Sequence, residues 1–172
     1  NPSGQISPST ADHVVQGLGE NVGFVLDGGP CESGLESTII DCTGRKACLL
    51  RPGGITREAA ATALAKAGLD PTITIAKPLD DKTKPIAPGQ LTSHYAPRAT
   101  LRLAAEKWKR GEELIGFGNI HGAGKLRLNL SPSSNLIEAA ANLFSMLHAA
   151  DATRTEKIAI APIPDIGLGE AI

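Results

Sequence analysis

Two neighbouring hydroxyl side chains and one guanidinium group stand at opposite ends of a pair of apolar segments. Ser37 and Thr38 open STIID, Arg51 closes ACLLR, and the turn sequence TGRK separates the two. If the segments form a hairpin, the start of the first strand and the end of the second meet at one edge of the sheet. Arginine offers phosphate or carboxylate a two-pronged donor. The pattern predicts a site for an anion or a small polar ligand; ordinary strand hydroxyls beside a solvated arginine are the alternative.

A run of hydroxyl side chains precedes the first predicted helix. The segment SGQISPST carries Ser3, Ser7, Ser9 and Thr10 directly ahead of ADHVVQGLG. Because unpaired backbone N–H groups at a helix start attract anions, this run is a second candidate anion site. A simple capped turn, with Ser9 or Thr10 as the N-cap, explains the same residues.

The glycine-rich segment at residues 116–125 matches neither common phosphate loop. In GFGNIHGAGK, His121 takes the place of the third glycine of GxGxxG. Leu126 stands where a P-loop needs Ser or Thr for magnesium. We therefore expect a turn that follows a strand.

The sequence predicts no metal ligands and no nucleophile with an evident base. The histidines and cysteines are scattered without metal-ligand or CxxC spacing: His13, His94, His121, His148, Cys31, Cys42 and Cys48. His148, near a predicted helix end, is most simply a partner of the helix dipole. Catalysis would then rely on positioning and charge neutralisation, with the reactive groups supplied by the substrates.

Composition sets the broad class. The chain has 172 residues, 41% of them hydrophobic, and a formal net charge of −1. This length suggests one or two domains, and the charge gives no general attraction to nucleic acid or to a membrane surface. No apolar run reaches the roughly 18 residues that a membrane span needs. Three cysteines without pairing pattern are typical of reduced thiols, so we expect a cytoplasmic protein.

The elements that must position these residues alternate between helix and strand. In the first half we expect a helix over ADHVVQGLG, strands at VGFVLDGG, STIIDC, ACLL and TITIA, and a helix capped by Thr56 and ended by Gly68. In the second half we expect strands at LIGFG and KIAIAPIP around the helix SNLIEAAANLFSMLHAAD, with Leu136, Ala140, Leu143, Phe144 and Leu147 on its apolar face. Apolar strands alternating with helices predict a parallel sheet covered by helices.

Several stretches together resemble one family. NPSGQISPSTADHV, DGGPCESGLESTIID, LLRPGGIT, APGQLTSHYAPRATL and IAIAPIPDIGLGEAI resemble the two-domain form of threonylcarbamoyl-adenylate synthase. The resemblance implies an α/β fold: the C-terminal half of a YrdC-like twisted α/β domain, a linker, and a small Rossmann-like α/β domain. The corresponding boundaries are residues 1–78, 79–98 and 99–172. The first Ser of a Ser-x-Asn motif and a Lys-x-Arg motif are missing, so we expect a fragment without the N-terminal half of its catalytic domain.

The resemblance also implies an activity. The family converts L-threonine, bicarbonate and ATP to threonylcarbamoyl-AMP and pyrophosphate, with ATP as substrate and Mg²⁺ beside it. The product serves the modification of tRNA to threonylcarbamoyladenosine, so a downstream tRNA-modifying transfer complex and tRNA itself are the implied partners. Two other functions stay open: a non-catalytic RNA-binding module and a carbamoyl-transfer maturation factor.

The site residues implied by the resemblance fall in two groups. Ser37 resembles a contact to L-threonine, with Thr38 beside it. The nucleotide-binding positions are Asn1, Ser7, Arg51, His94 and Tyr95. The segment SHYAP at residues 93–97 resembles a lid on the nucleotide, which would keep water from a labile acyl-adenylate.

Overall fold

The computed structural model describes residue 2 and residues 4–76, 87–88 and 96–172. These residues form two compact units, each made of two separate parts of the chain. Unit 1 combines Asn1–Gly34 with Tyr95–Ile163, and unit 2 combines Leu35–His94 with Pro164–Ile172. The expected α/β class is confirmed, whereas the domain boundaries at residues 78 and 98 stay a prediction.

The described residues contain three α-helices, two 3₁₀ turns and six strands. The helices are α1 (Ala11–Leu18), α2 (Arg57–Lys66) and α3 (Leu136–Ala152), and the 3₁₀ turns are Gly19–Asn21 and Gly167–Glu170. The strands are β1 (Ile39–Asp41), β2 (Ala47–Arg51), β3 (Ile73–Ile75), β4 (Thr100–Arg102), β5 (Glu112–Ile115) and β6 (Lys157–Ile160). No described helix combines the length and the apolar character that crossing a bilayer requires.

Unit 1 contains a fully parallel sheet in the order β4-β6-β5. All four residues of β5 and the last three of β6 are buried, as is typical of parallel strands. Helix α3 buries an apolar face made of Ala139, Ala140, Leu143, Phe144, Leu147 and Ala150. The predicted parallel sheet is confirmed, and four of the five predicted apolar-face residues are buried, Leu136 being half-buried.

Unit 2 contains a mixed sheet in the order β1-β2-β3. Strands β1 and β2 form the predicted antiparallel hairpin around TGRK, and β3 pairs with β2 in parallel. Helix α2 connects β2 to β3, and the side chain of Thr56 caps it by accepting from the backbone N–H of Ala59. None of the residues of α2 is buried.

The N-terminal segment of unit 1 begins with a well-capped helix. Thr10 is the N-cap of α1 and accepts from the backbone N–H of His13, and Gly19 ends the helix with a φ of 51°. The strand expected at VGFVLDGG is wrong, because residues 22–29 do not form a strand and pair with none of the described strands. Phe24 and Leu26 are 80% and 86% exposed, so the apolar side chains there are not buried by a sheet neighbour in the described structure.

Candidate functional site

The hairpin of unit 2 brings the predicted hydroxyl and guanidinium groups into contact. Ile39 pairs with Arg51, which places the residues before β1 beside the end of β2. Arg51 donates from Nε and Nη2 to the carbonyl oxygen of Ser37 at 3.0 and 2.7 Å, and from Nη2 to its Oγ at 2.9 Å. The predicted juxtaposition of Ser37 and Arg51 at one edge is confirmed.

These hydrogen bonds define what the Ser37 hydroxyl can do. Its oxygen accepts from Arg51, so its own hydrogen points away from the guanidinium. Ser37 is exposed and its hydroxyl donates to no described group. Ser37 is therefore an oriented donor for a carboxylate or carbonyl oxygen, and the adjacent positive charge favours an anion.

Thr38 has a different role from its neighbour. Its hydroxyl donates to the carbonyl of Ile55 at 2.6 Å and accepts from the N–H of the same residue at 2.9 Å. The backbone N–H of Gly54 donates to the carbonyl of Glu36 at 2.9 Å. Thr38 thus fastens the loop after β2 onto the segment before β1, and it positions Ser37 rather than presenting a second outward donor.

Gly53 makes this close approach possible. A Cβ atom at this position would lie 2.3 Å from the carbonyl oxygen of Glu36 and 2.5 Å from the backbone nitrogen of Thr38. Real side chains do not reach such distances, so any other residue would push the loop away from the hairpin edge. The RPGG sequence indicates a turn, but the contact that requires glycine is visible only in the structure.

An apolar cavity lies next to this edge. Its volume is about 420 Å³, and it is lined by Thr38, Ile40, Cys42, Ile55 and one side of α2. Thr38 is the edge residue that lines this cavity, whereas Ser37 and Arg51 do not. The cavity offers space for a small apolar group one residue along the chain from the oriented hydroxyl.

Of the remaining predicted site residues, the structure describes Ser7. Ser7 belongs to unit 1, is 6% exposed, and its carbonyl accepts from Nε2 of His148 at 3.1 Å. Asn1, His94 and Tyr95 lie outside the described residues. Their roles, like the ligand roles of Ser7, Ser37, Thr38 and Arg51, stay predictions.

Sequence reasoning missed a pair of stacked histidines in unit 1. The rings of His13 and His148 lie 3.9 Å apart, centroid to centroid, at an interplanar angle of 20°. The backbone N–H of Ser9 donates to Nδ1 of His13 at 3.3 Å, so this nitrogen carries no proton. Burial lowers the pKa of His13, the charge of His148 lowers it further, and Asp12 partly opposes both. No sequence signal links positions so far apart.

Metal-binding geometry is absent from the described part of the chain. Within residues 4–76, 87–88 and 96–172, no group of three or more His, Cys, Asp or Glu side chains could hold a metal ion. The hairpin edge instead presents a hydroxyl and a guanidinium group. These features define a two-unit α/β protein with a candidate site for a polar ligand at one edge of its mixed sheet.

The family follows from comparison with known proteins. The profile described as "Threonylcarbamoyl-AMP synthase, C-terminal domain" matches residues 55–172, and the profile described as "Telomere recombination" matches residues 1–53. The chain belongs to the threonylcarbamoyl-AMP synthase family, as the motifs predicted.

Named relatives agree over the whole chain. Threonylcarbamoyl-AMP synthases of Bacillus subtilis and Pyrococcus abyssi are each 30% identical to it and match 100% of the chain but 53% of their own length. The crystal structure of P. abyssi Sua5 complexed with L-threonine has 28% sequence identity to this chain and superposes on it with a TM-score of 0.78. The match covers 99% of this chain and 53% of the P. abyssi chain. The structure of a variant of that protein, with a neighbouring His and Tyr both replaced by Ala, superposes with a TM-score of 0.72 at 26% sequence identity. This match covers 99% of this chain and 52% of the variant's chain. The chain therefore spans about half the length of the relatives it matches.

Proposed function

We propose that this chain is part of an L-threonylcarbamoyladenylate synthase. The reaction joins L-threonine, bicarbonate and ATP into threonylcarbamoyl-AMP, with release of pyrophosphate and water. The threonine nitrogen bonds to the bicarbonate carbon, whose hydroxyl leaves as water, and an oxygen of the resulting carbamate replaces pyrophosphate on the α-phosphorus of ATP. No protein nucleophile is needed, which agrees with a site made of donors and a fixed cation.

The contact between Ser37 and Arg51 carries this proposal. The hydroxyl is an outward donor whose direction the guanidinium sets, and the next residue, Thr38, lines an apolar cavity of about 420 Å³. A small amino acid with a carboxylate and a methyl group matches those features. The P. abyssi relative, whose structure contains L-threonine, supports the same ligand.

The nucleotide side of the proposal rests on Arg51 and on positions outside the described residues. A guanidinium already oriented by Ser37 places positive charge at the edge that ATP phosphates would approach. Asn1 and Ser7 would contact the nucleotide, and His94 with Tyr95 would close over it as a lid. Such a lid would exclude water from the acyl-adenylate.

The described residues build no site of their own for Mg²⁺. No cluster of three candidate ligands exists there, and Mg²⁺ usually binds through substrate phosphates with one or two carboxylates. No step of the proposal depends on the metal. The product would pass to a tRNA-modifying transfer complex in the cytoplasm, and tRNA is the final acceptor.

Calorimetric titration of Ser37→Ala and Arg51→Ala tests the proposal in the complete gene product that carries these residues. Ser37→Ala should weaken L-threonine binding about tenfold and ATP binding much less, because it removes one oriented donor. Arg51→Ala should weaken ATP binding about tenfold or more, since a hydrogen bond to a charged group contributes roughly 1.5–3 kcal/mol. Because Arg51 also orients Ser37, this variant should weaken L-threonine as well.

Arg45→Ala is the matched control. Arg45 lies in the turn at the opposite end of the same hairpin and is exposed, so its loss should change neither affinity. Equal losses of both ligands in Ser37→Ala would mean that the hydroxyl supports the fold instead of the amino-acid pocket. RNA binding without any binding of ATP or L-threonine would favour the RNA-binding module.

A further inference from the structure

Unit 1 contains a large cavity that the proposed synthase site does not use. Its volume is about 1130 Å³, and it lies between the start of β5, the loop at residues 121–127 and the residues just before β6. Trp108, His121, Lys125 and Arg127 line it, with Glu156 on another side. This volume slightly exceeds the roughly 300–1,000 Å³ typical of small-molecule pockets, and an inorganic phosphate alone would not fill it.

A buried carboxylate holds the loop of this cavity in shape. Glu113 is 4% exposed and accepts from the backbone N–H groups of Lys125 at 2.8 Å and Leu126 at 3.2 Å. Gly124 has a φ of +112°, and a Cβ atom there would lie 2.6 Å from Oε2 of Glu113. The acidic group is thus occupied by the loop backbone, and the side chain of Lys125 is fixed at its base beside the cavity.

The cations of this loop are available for a ligand. Lys125 and Arg127 are exposed and take part in none of the salt bridges formed within the described residues. Arg127 has a φ of 52°, a left-handed conformation that is uncommon for a residue with a side chain and that often marks functional sites. The nearby carboxylate of Glu112 is already neutralised by Arg102, whose Nη2 lies 2.6 Å from Oε2.

An oriented aromatic ring completes the cavity. Trp108 donates from Nε1 to the carbonyl of Glu112 at 2.8 Å, which fixes the edge of the indole, and the residue is still 46% exposed. Exposed indole rings bind flat ring systems by stacking, whereas they add little to the binding of a bare anion.

We propose that this cavity binds a mononucleotide-sized ligand, with a flat ring against Trp108 and a phosphate group at Lys125 and Arg127. The phosphate would be held by side-chain cations on a braced loop, which is why no glycine-rich phosphate motif is present in the sequence. The site lies wholly within unit 1 and is independent of Ser37 and Arg51, so it goes beyond the proposed synthase activity.

Intrinsic fluorescence provides a direct test, because Trp108 is the single tryptophan of the sequence. AMP is titrated into the chain with excitation at the red edge of the indole band, where adenine does not absorb. We expect a saturable change in Trp108 emission. Adenosine lacks the phosphate group and ribose 5-phosphate lacks the flat ring. Each should therefore bind about tenfold or more weakly than AMP.

Variants locate the site. Lys125→Ala and Arg127→Gly should each weaken AMP about tenfold, and glycine at position 127 suits the left-handed backbone, so loss of binding there does not reflect misfolding. Lys66→Ala, at the end of α2 in unit 2, is the control and should leave the titration unchanged. Arg51→Ala should also leave it unchanged, which separates this site from the proposed synthase site.

Three results would overturn the proposal. One is no saturable change with AMP, and a second is unaltered AMP affinity in both loop variants. The third is binding of a short single-stranded RNA that AMP cannot displace, because this would indicate an extended nucleic-acid surface in place of a mononucleotide site.

Discussion

The two sheets each have three strands, but the strand residues of the two sheets are buried to very different degrees. In unit 1, all four residues of β5 and the last three of β6 are buried, and α3 buries six side chains. In unit 2, the strand residues are mostly half-buried, Ile75 is 60% exposed, and α2 has no buried residue. The sheet with the buried core is the parallel one, as expected from the need to cover both of its faces.

This difference shows how the candidate site is held. At the hairpin edge of unit 2, order comes from hydrogen bonds between side chains and backbone, such as Thr38 to Ile55 and Arg51 to Ser37. In unit 1, order comes from packing around residues such as Leu114 and Ile158. A site built on directional hydrogen bonds leaves its donors accessible, whereas a packed core would cover them.

The comparison predicts, first, that replacing an isoleucine by alanine destabilises the protein much more in the sheet of unit 1 than in the sheet of unit 2. Ile158 is 0% exposed and Ile75 is 60% exposed. Ile158→Ala should lower the free energy of unfolding by about 2–5 kcal/mol, because it leaves a cavity in a packed core. Ile75→Ala should cost less than about 1 kcal/mol. Urea unfolding followed by circular dichroism compares them, and equal losses would contradict the contrast between the sheets.

A second prediction concerns the backbone contact at the site. Gly53→Ala should cost about 1–3 kcal/mol, because its Cβ would overlap the backbone of Glu36 and Thr38. Gly44→Ala is the control in the same hairpin, since a Cβ there would lie 3.6 Å from its nearest neighbour, an ordinary contact. Thermal melts of both variants measure the difference. If Gly53→Ala melts like Gly44→Ala, the loop does not depend on this close approach.

The smallest expected effect concerns pH and tests whether the N-terminal segment is as firmly held as the core of unit 1. Burial and the charge of His148 lower the pKa of His13 below its usual value of about 6.5. At pH values between the lowered pKa of His13 in the folded protein and its pKa in the unfolded chain, the unfolded chain binds more protons than the folded one. The free energy of unfolding therefore rises with pH in this range. Acidification from about pH 7.5 to 5.5 should therefore slightly lower the melting temperature.

Two variants isolate the contribution of His13. His13→Asn keeps an acceptor close to the Ser9 N–H and removes the titrating ring, so its melting temperature should depend less on pH. His121→Asn removes an exposed imidazole and should retain the slope of the unmodified chain. An unchanged slope in His13→Asn would contradict the assignment of this pH dependence to His13.

Local chemistry made much of the fold and part of the site predictable. Thr56 caps α2 as expected, Thr10 is the one of the two expected candidates, Ser9 and Thr10, that caps α1, and Gly19 ends α1. The hairpin followed from two apolar segments around TGRK, and it placed Ser37 beside Arg51. These features depend on residues near each other in sequence, where spacing and backbone preference decide the outcome.

Other features depended on contacts between distant parts of the chain. The apolar pattern of residues 22–29 suits a strand, but no described strand pairs with it, and pairing rather than pattern makes a strand. The stacking of His13 on His148 and the bracing of residues 125–126 by Glu113 likewise left no local signal.

The amino-acid sequence by itself determined the α/β class, the helix caps, the hairpin and the family motifs, because each depends on short-range periodicity or on residue identity. Only the tertiary structure decided the strand order β4-β6-β5 and the cavity around Trp108. It also decided that the hydroxyl of Thr38 binds the loop after β2, whereas the hydroxyl of Ser37 remains available as a donor. Those features arise where separate segments pack together, and the free energy of such long-range contacts is not contained in any one segment.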